Sequence, residues 1–258
     1  MGHIGLLLSM AVLLATPSLS GQTVPNPEEP ISTDRPSIAN SSVVVPKGGF
    51  QIENGLLITG AQGQWVFDAP ETSLRYGVFR KTELRLSIPD YFHGLPGSAA
   101  VPSGFSDTSI GIKQQLGPLR AVDLSLIFFL SLPSGATEVS SHGYDPALQL
   151  PWSRKLSANW TIGGQMAFYW PTLAGRHTFT GESTFLLDRQ LAKRWDAFAE
   201  YAADIPERGG PRHLLHFGSS YKLAPRHQID FHAAAGLSGA APDSFVGFGY
   251  SFLFRSRQ

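Results

Sequence analysis

From Gly49 to Phe254 the chain alternates apolar and polar side chains in segments of about ten residues, parted by turn residues. The last segment shows it most plainly. Phe248, Tyr250, Phe252 and Phe254 share one face; Gly247, Gly249, Ser251 and Leu253 share the other. Strand side chains alternate faces with period two, so one surface is aromatic and the other small or polar. The same reading places strands at 50–59, 72–80, 82–88, 106–116, 121–132, 145–156, 160–170, 177–187, 195–203, 213–221, 228–237 and 244–254. Residues 62–70 read as a loop, although Trp65 and Phe67 could extend a strand, and 89–104 read as a long loop. Leu191, Trp195, Phe198, Ala202 and Ile205 also fit one face of a helix, but their strand neighbours favour a strand.

The links alternate as well. Short ones fall near Arg80-Lys81, Gly117-Pro118, Ser157-Ala158, Leu191-Lys193 and Ala224-Pro225; longer, Gly- and Pro-rich ones fall at 89–104, 133–143, 171–176, 204–212 and 238–243. Short turns on one rim and longer loops on the other are the habit of bacterial outer-membrane barrels. Trp65, Trp152, Trp160, Trp170 and Trp195 lie near strand ends, where interfacial girdles put aromatics. The expected fold is therefore all-β: a single antiparallel transmembrane β-barrel of about 12 strands, with outer-membrane lipid around it.

Upstream, Ile4 to Ala15 is apolar but shorter than the roughly 20 residues that a spanning helix needs. With Ser18 and Ser20 at small-residue positions, residues 1–20 read as a secretion signal removed before Gly21, although its first residues carry His3 and no Lys or Arg. Residues 21–48, rich in Pro, Ser, Asn and Glu, read as an extended segment, periplasmic or tucked into the lumen. Residues 49–258 read as the barrel.

Composition sharpens this picture. Of the 258 residues only 16% are charged, and the net charge is zero. That is well below the ~25% of soluble domains, and it gives no footprint for nucleic acid. Cysteine is absent, which removes disulfides and thiolate metal sites. His213 and His216 sit three apart and so on opposite faces, and His227 and His232 have the same parity problem. No metal, cofactor or catalytic residue is expected. Ser219, His216 and Asp230 could be forced into a hydrolytic arrangement, but so could many sets.

The chemistry lies on the inward face, because a charge on the lipid face costs about 2–4 kcal/mol near the midplane. The expected lumen-lining residues are Glu53, Arg75, Glu83, Arg85, Asp107, Lys113, Asp123, Glu182, Asp196 and Glu200, with His216, Asp230 and His232 beside them. Arg75 and Arg85 would pair with Glu83 or Asp107. Asp34 and Arg35 fit two readings equally: a plug or docking element, with Arg35 pairing to luminal carboxylates, or an exposed extended linker.

Several segments also carry a family resemblance. They are Ser32-Thr33-Asp34-Arg35-Pro36, Val45-Pro46-Lys47-Gly48-Gly49-Phe50-Gln51-Ile52-Glu53, Leu74-Arg75-Tyr76-Gly77-Val78 and Glu83-Leu84-Arg85. Phe105 to Lys113 and Leu130 to Gly135 add to them. In order and spacing these resemble the bacterial outer-membrane β-barrel transporters of the "MetA-pathway of phenol degradation" family, over about residues 31–254. The resemblance implies an outer-membrane barrel that takes up small, often aromatic or hydrophobic solutes and has no agreed active site. It also implies handling by the barrel-assembly machinery. The terminal aromatic of that signal is displaced here, since Arg255-Ser256-Arg257-Gln258 follows Phe254. Two other readings stay open: a barrel with a filled lumen and a structural or lipid-modifying role, and a secreted soluble β-sandwich that binds a ligand.

Overall fold

The computed structural model describes residues 30–98 and 102–255, so the expected signal at 1–20 lies outside the described residues. The described residues contain strands and links but no helix. The strands are β1 (Gly49–Ala61), β2 (Gln64–Ala69), β3 (Ser73–Phe79), β4 (Thr82–Ser87), β5 (Tyr91–Gly94), β6 (Gly104–Phe105), β7 (Thr108–Gln115), β8 (Asp123–Leu132) and β9 (Asp145–Lys155). They continue with β10 (Trp160–Tyr169), β11 (Thr172–Leu173), β12 (Arg176–His177), β13 (Thr180–Ala192), β14 (Trp195–Pro206), β15 (Arg212–Ala224), β16 (His227–Gly236) and β17 (Ser244–Arg255).

All but β11 and β12 belong to one 15-stranded antiparallel sheet, which closes when β17 pairs with β1. Closure leaves no long edge to aggregate. The closing register runs unbroken from Gly49↔Arg255 to Gly60↔Ser244. Three staves of the barrel are interrupted. β2 and β3 both pair with β1, and β5 and β6 continue the lines of β4 and β7. The result is a closed barrel of twelve staves. β11 and β12 form a separate small hairpin in the link after β10.

Two sequence expectations need correcting. Residues 62–70 are not a loop, because β2 pairs with the upper half of β1 and aligns Gly60 with Trp65. The stretch 89–104 is not loop throughout, because β5 pairs with β2 and β6 with β5. Pro70 and Pro89 mislead the pattern: proline lacks the ladder N–H and breaks a strand locally, but pairing resumes beyond it. The segment at 195–206 is strand β14, not helix.

Period two decides the faces. In β17, Phe254 is 59% exposed on the outside while its neighbour Leu253 is 5% exposed on the inside. Leu84, Ile110, Ile112, Phe128, Met166, Phe185, Phe217 and Phe231 are likewise exposed outward, and Arg75, Glu83, Lys113, Gln165, Glu200 and His216 are buried inside. A soluble globule reverses this order. Asn54, the one polar intruder on the outer face of β1, accepts a 2.9 Å hydrogen bond from the Thr72 hydroxyl. This is the fold of a bacterial outer-membrane β-barrel, whose apolar exterior meets lipid.

Candidate functional site: the barrel lumen

Residues 30–48 run inside the barrel. Ile31 N–H donates to Pro225 O at the short-turn rim, and Gly48 N–H donates to Gly77 O where the segment leaves for β1. Between these points the segment crosses the lumen without regular structure. Its backbone is satisfied instead by wall side chains, as a buried backbone must be. The Glu53 carboxylate on β1 accepts from the N–H groups of Asp34 and Arg35, each at 3.0 Å. Glu200 on β14 accepts from Ile38 and Ala39, each at 2.8 Å. Glu83 on β4 accepts from Val45 at 2.6 Å, and Gln165 on β10 accepts from Asn40 at 3.1 Å. Ser125 on β8 donates to Ser42 O at 2.6 Å. Ile31, Val45 and Leu253 form a small apolar cluster that seats both ends of the segment.

One wall is ionic. Arg75 lies 2.6 Å from Glu53 and 2.9 Å from Glu83, with Asp34 at 3.3 Å. Arg85 pairs with Asp34 as well, and Lys113 Nζ is 3.6 Å from it. Three cations from β3, β4 and β7 thus face three carboxylates, so the cluster carries no net charge. Burial alone would raise the carboxyl pKa of Asp34, but the Arg75, Arg85 and Lys113 charges outweigh it and hold the group well below the usual carboxylate range. Arg85 also lies over the ring of Phe129, 5.0 Å from its centroid.

The opposite wall is a directed hydrogen-bond chain. Arg35 Nη2 lies 3.3 Å from His232 Nε2, His232 Nδ1 lies 3.0 Å from His216 Nε2, and His216 Nδ1 lies 2.9 Å from Glu200 Oε2. Arginine can only donate and a carboxylate can only accept, so each ring accepts at Nε2 and donates from Nδ1. Arg35 also pairs with Glu71 at 2.6 Å and Asp230 at 3.2 Å. Its burial is outweighed by those carboxylates, which raise its pKa further. Room for this guanidinium comes from two inward glycines: a Cβ at Gly55 or Gly249 would overlap it.

Of the sequence-predicted residues, the structure gathers Asp34, Arg35, Glu53, Arg75, Glu83, Arg85, Lys113 and Glu200 around the segment. Glu182 faces the upper lumen and accepts from Gln165 Nε2 at 3.0 Å. Asp196 pairs with Lys222 at 2.7 Å near the short-turn rim, and Asp123 stands in register with Ser153 at the same end. Asp107 is the exception. It lies in the break between β6 and β7 and accepts from the backbone N–H groups of Ser134, Gly135 and Ser141, so it ties down a long loop and does not partner Arg75 or Arg85. The break releases Asp107 from the stave's inward alternation.

His213 and His216 do face opposite ways: His213 Nδ1 meets the Tyr201 hydroxyl outside, at 2.7 Å. Ser219 is outward too, accepting from Trp195 Nε1 at 2.6 Å, so it cannot converge with inward His216 and Asp230. The alternation already puts Ser125 and Gln165 on the inward face, and both are buried there. The sequence reading missed Gln149 and Glu71: Gln149 is an inward position that period two could have found, and Glu71 sits at the break before β3, where no period applies.

Two spaces flank the segment. An outer cavity of about 280 Å³ is bordered by Ser87, Ser109, Ser131, Phe129, Tyr169 and Asp145, among others. An inner one of about 360 Å³ lies between the segment and the staves from β9 to β16.

A closed barrel with a lipid-facing exterior and an ionic, segment-filled lumen defines the class: an outer-membrane β-barrel. The chain belongs to the family described as "Putative MetA-pathway of phenol degradation", whose model matches residues 33–254. Its fold is similar to that of the COG4313 outer membrane channel from Pseudomonas putida F1, with TM-score 0.64 and 11% identity over 83% of this chain and 98% of that one. It is also similar to the KdgM porin, with TM-score 0.56 and 11% identity over 80% of this chain and 99% of that one. No curated protein sequence matches the chain.

Proposed function

We propose that the protein is an outer-membrane channel for small solutes, and that residues 30–48 form a plug that must shift or thin out for passage. The observation that carries this reading is the plug itself. It is held by side-chain hydrogen bonds and ion pairs from staves around the lumen, with a small apolar cluster at its ends. Such bonds exchange with water and can be broken locally without unpacking a core. Family membership supports small, aromatic or hydrophobic solutes as the cargo. The lumen's charges act as the selective element, with Asp34 and Arg35 as the plug's anchors and the wall charges around them setting ion preference. Catalysis has no part in this reading, and insertion falls to the barrel-assembly machinery.

The test is single-channel recording in a planar bilayer. The intact protein should show low conductance. Arg85→Ala removes a cation beside Asp34 and Glu83, and should shift the reversal potential toward cation selectivity. Unchanged selectivity would falsify the wall's role. A barrel that stays silent with the plug removed would favour the filled, structural reading.

A further inference from the structure

The outer cavity is a specific feature of the register. Glu53 on β1 pairs with Ser73 on β3, Ser73 with Ser87 on β4, Ser87 with Ser109 on β7, Ser109 with Ser131 on β8, and Ser131 with Asp145 on β9. Each of these side chains faces the lumen. Rows perpendicular to tilted strands climb around a barrel. This row rises from Glu53, which holds the plug backbone, to Asp145 at the long-loop rim. Among the described residues, none of the Ser87, Ser109 and Ser131 hydroxyls has a protein hydrogen-bond partner, and all three border the cavity. Adjacent antiparallel strands set such hydroxyls about 5 Å apart. The next row supplies aromatic faces, Phe129 from β8 and Tyr169 from β10, each paired in register with Ala147, whose small side chain opens the space between them.

Charge narrows the choice of occupant. Among the described residues no Lys, Arg or His borders the cavity, so an anion finds no partner there. The Asp145 carboxylate already accepts from Thr172 N–H at 2.9 Å and from its hydroxyl at 2.7 Å. A pure hydrocarbon would desolvate the serine row and leave it unpaired, which costs free energy for each hydroxyl.

We propose that this cavity is a docking subsite for a neutral ring solute bearing adjacent hydroxyl groups. Ser87, Ser109 and Ser131 bind its oxygen-bearing edge, and Phe129 and Tyr169 cover its face. The serine row then hands the solute toward Glu53 and the plug. The volume, at the low end of small-molecule sites, suits one ring. Two sources share this chemistry, an aromatic diol and a cyclic polyol. The subsite deepens the channel reading by naming the class of solute, and it rests on that reading only for the direction of travel.

The experiment is isothermal titration calorimetry on the intact, detergent-solubilised barrel, with catechol, myo-inositol and toluene as probes. One of the two hydroxylated rings should bind with unit stoichiometry and more tightly than toluene, and which one binds identifies the source. The triple variant S87A/S109A/S131A should weaken that binding at least tenfold. Ser109→Ala alone, at the centre of the row, should weaken it severalfold and serves if the triple variant does not fold. Failure of both hydroxylated rings to bind, or binding untouched by Ser109→Ala, overturns the subsite. Flux into proteoliposomes separates the two readings: binding without flux defeats the channel and keeps the subsite, whereas flux without serine-dependent binding does the reverse.

Discussion

Asp34 is the residue on which the plug's position turns. It meets Arg75, Arg85 and Lys113 together, while Glu53 and Glu83 balance the other charges. Breaking a buried ion pair by removing one partner typically costs about 3–5 kcal/mol, because the remaining charges stay desolvated. Asp34→Asn should therefore loosen the plug and raise single-channel conductance severalfold. The pH dependence has a definite sign. The native pKa of Asp34 lies below its unfolded value of about 3.9, so its stabilisation is complete above that value and is lost only as pH falls through the depressed native one. Conductance controlled by Asp34 should stay low and flat from pH 7 to pH 5. A rise in that window would show that a group other than Asp34 controls conductance. Gly249→Ala tests the other anchor, since its methyl group would displace Arg35 from Asp230; it too should raise conductance while leaving the barrel closed. Arg75, Glu83 and Arg85 were legible because strand parity alone puts them inside. The pairing of Arg75 and Arg85 with Glu83 was legible too. The rest of their partner set was not, because it includes Asp34, which lies outside the periodic strands, and because Asp107 is turned to the loop by a break that parity does not foresee.

At the scale of elements, the plug and the staves have separable stability. The wall is held by ladders such as the continuous β1–β17 register, and residues 30–48 add no strand to it. Deleting residues 30–44 should leave a closed barrel, seen as an unheated band that shifts on boiling in a denaturing gel, and should raise conductance above that of the intact protein. Loss of the heat shift would mean that the plug is needed for closure. The twelve staves were readable because each carries its own alternation. The halves lost to the sequence reading, β2, β5 and β6, are short pieces; β2 ends just before Pro70 and β5 begins just after Pro89. They exist because β1, β2 and β5 in turn offer a pairing edge, a tertiary cause that local pattern does not contain. The irregular plug has no period at all, so its place inside the lumen depends on wall residues as distant in sequence as Glu200.

The whole molecule inverts the soluble arrangement, and that inversion can be measured by depth. An apolar outer face could in principle be covered by protein, as in a sandwich of sheets, or by lipid. Protein cover would penalise an outward charge according to local packing, whereas lipid penalises it according to distance from the midplane. β15 offers both depths on one face. Phe217 lies midway along the strand and Leu223 near the short-turn rim, and both are exposed outward. In lipid, Phe217→Arg should cost about 2–4 kcal/mol and Leu223→Arg about 0–1, since near the rim the guanidinium reaches the headgroups. Reversible urea unfolding in lipid vesicles, read from tryptophan emission, gives both values on one scale. Equal costs at the two positions would mean that protein rather than lipid covers this face, and the channel reading would fall with the membrane that it requires.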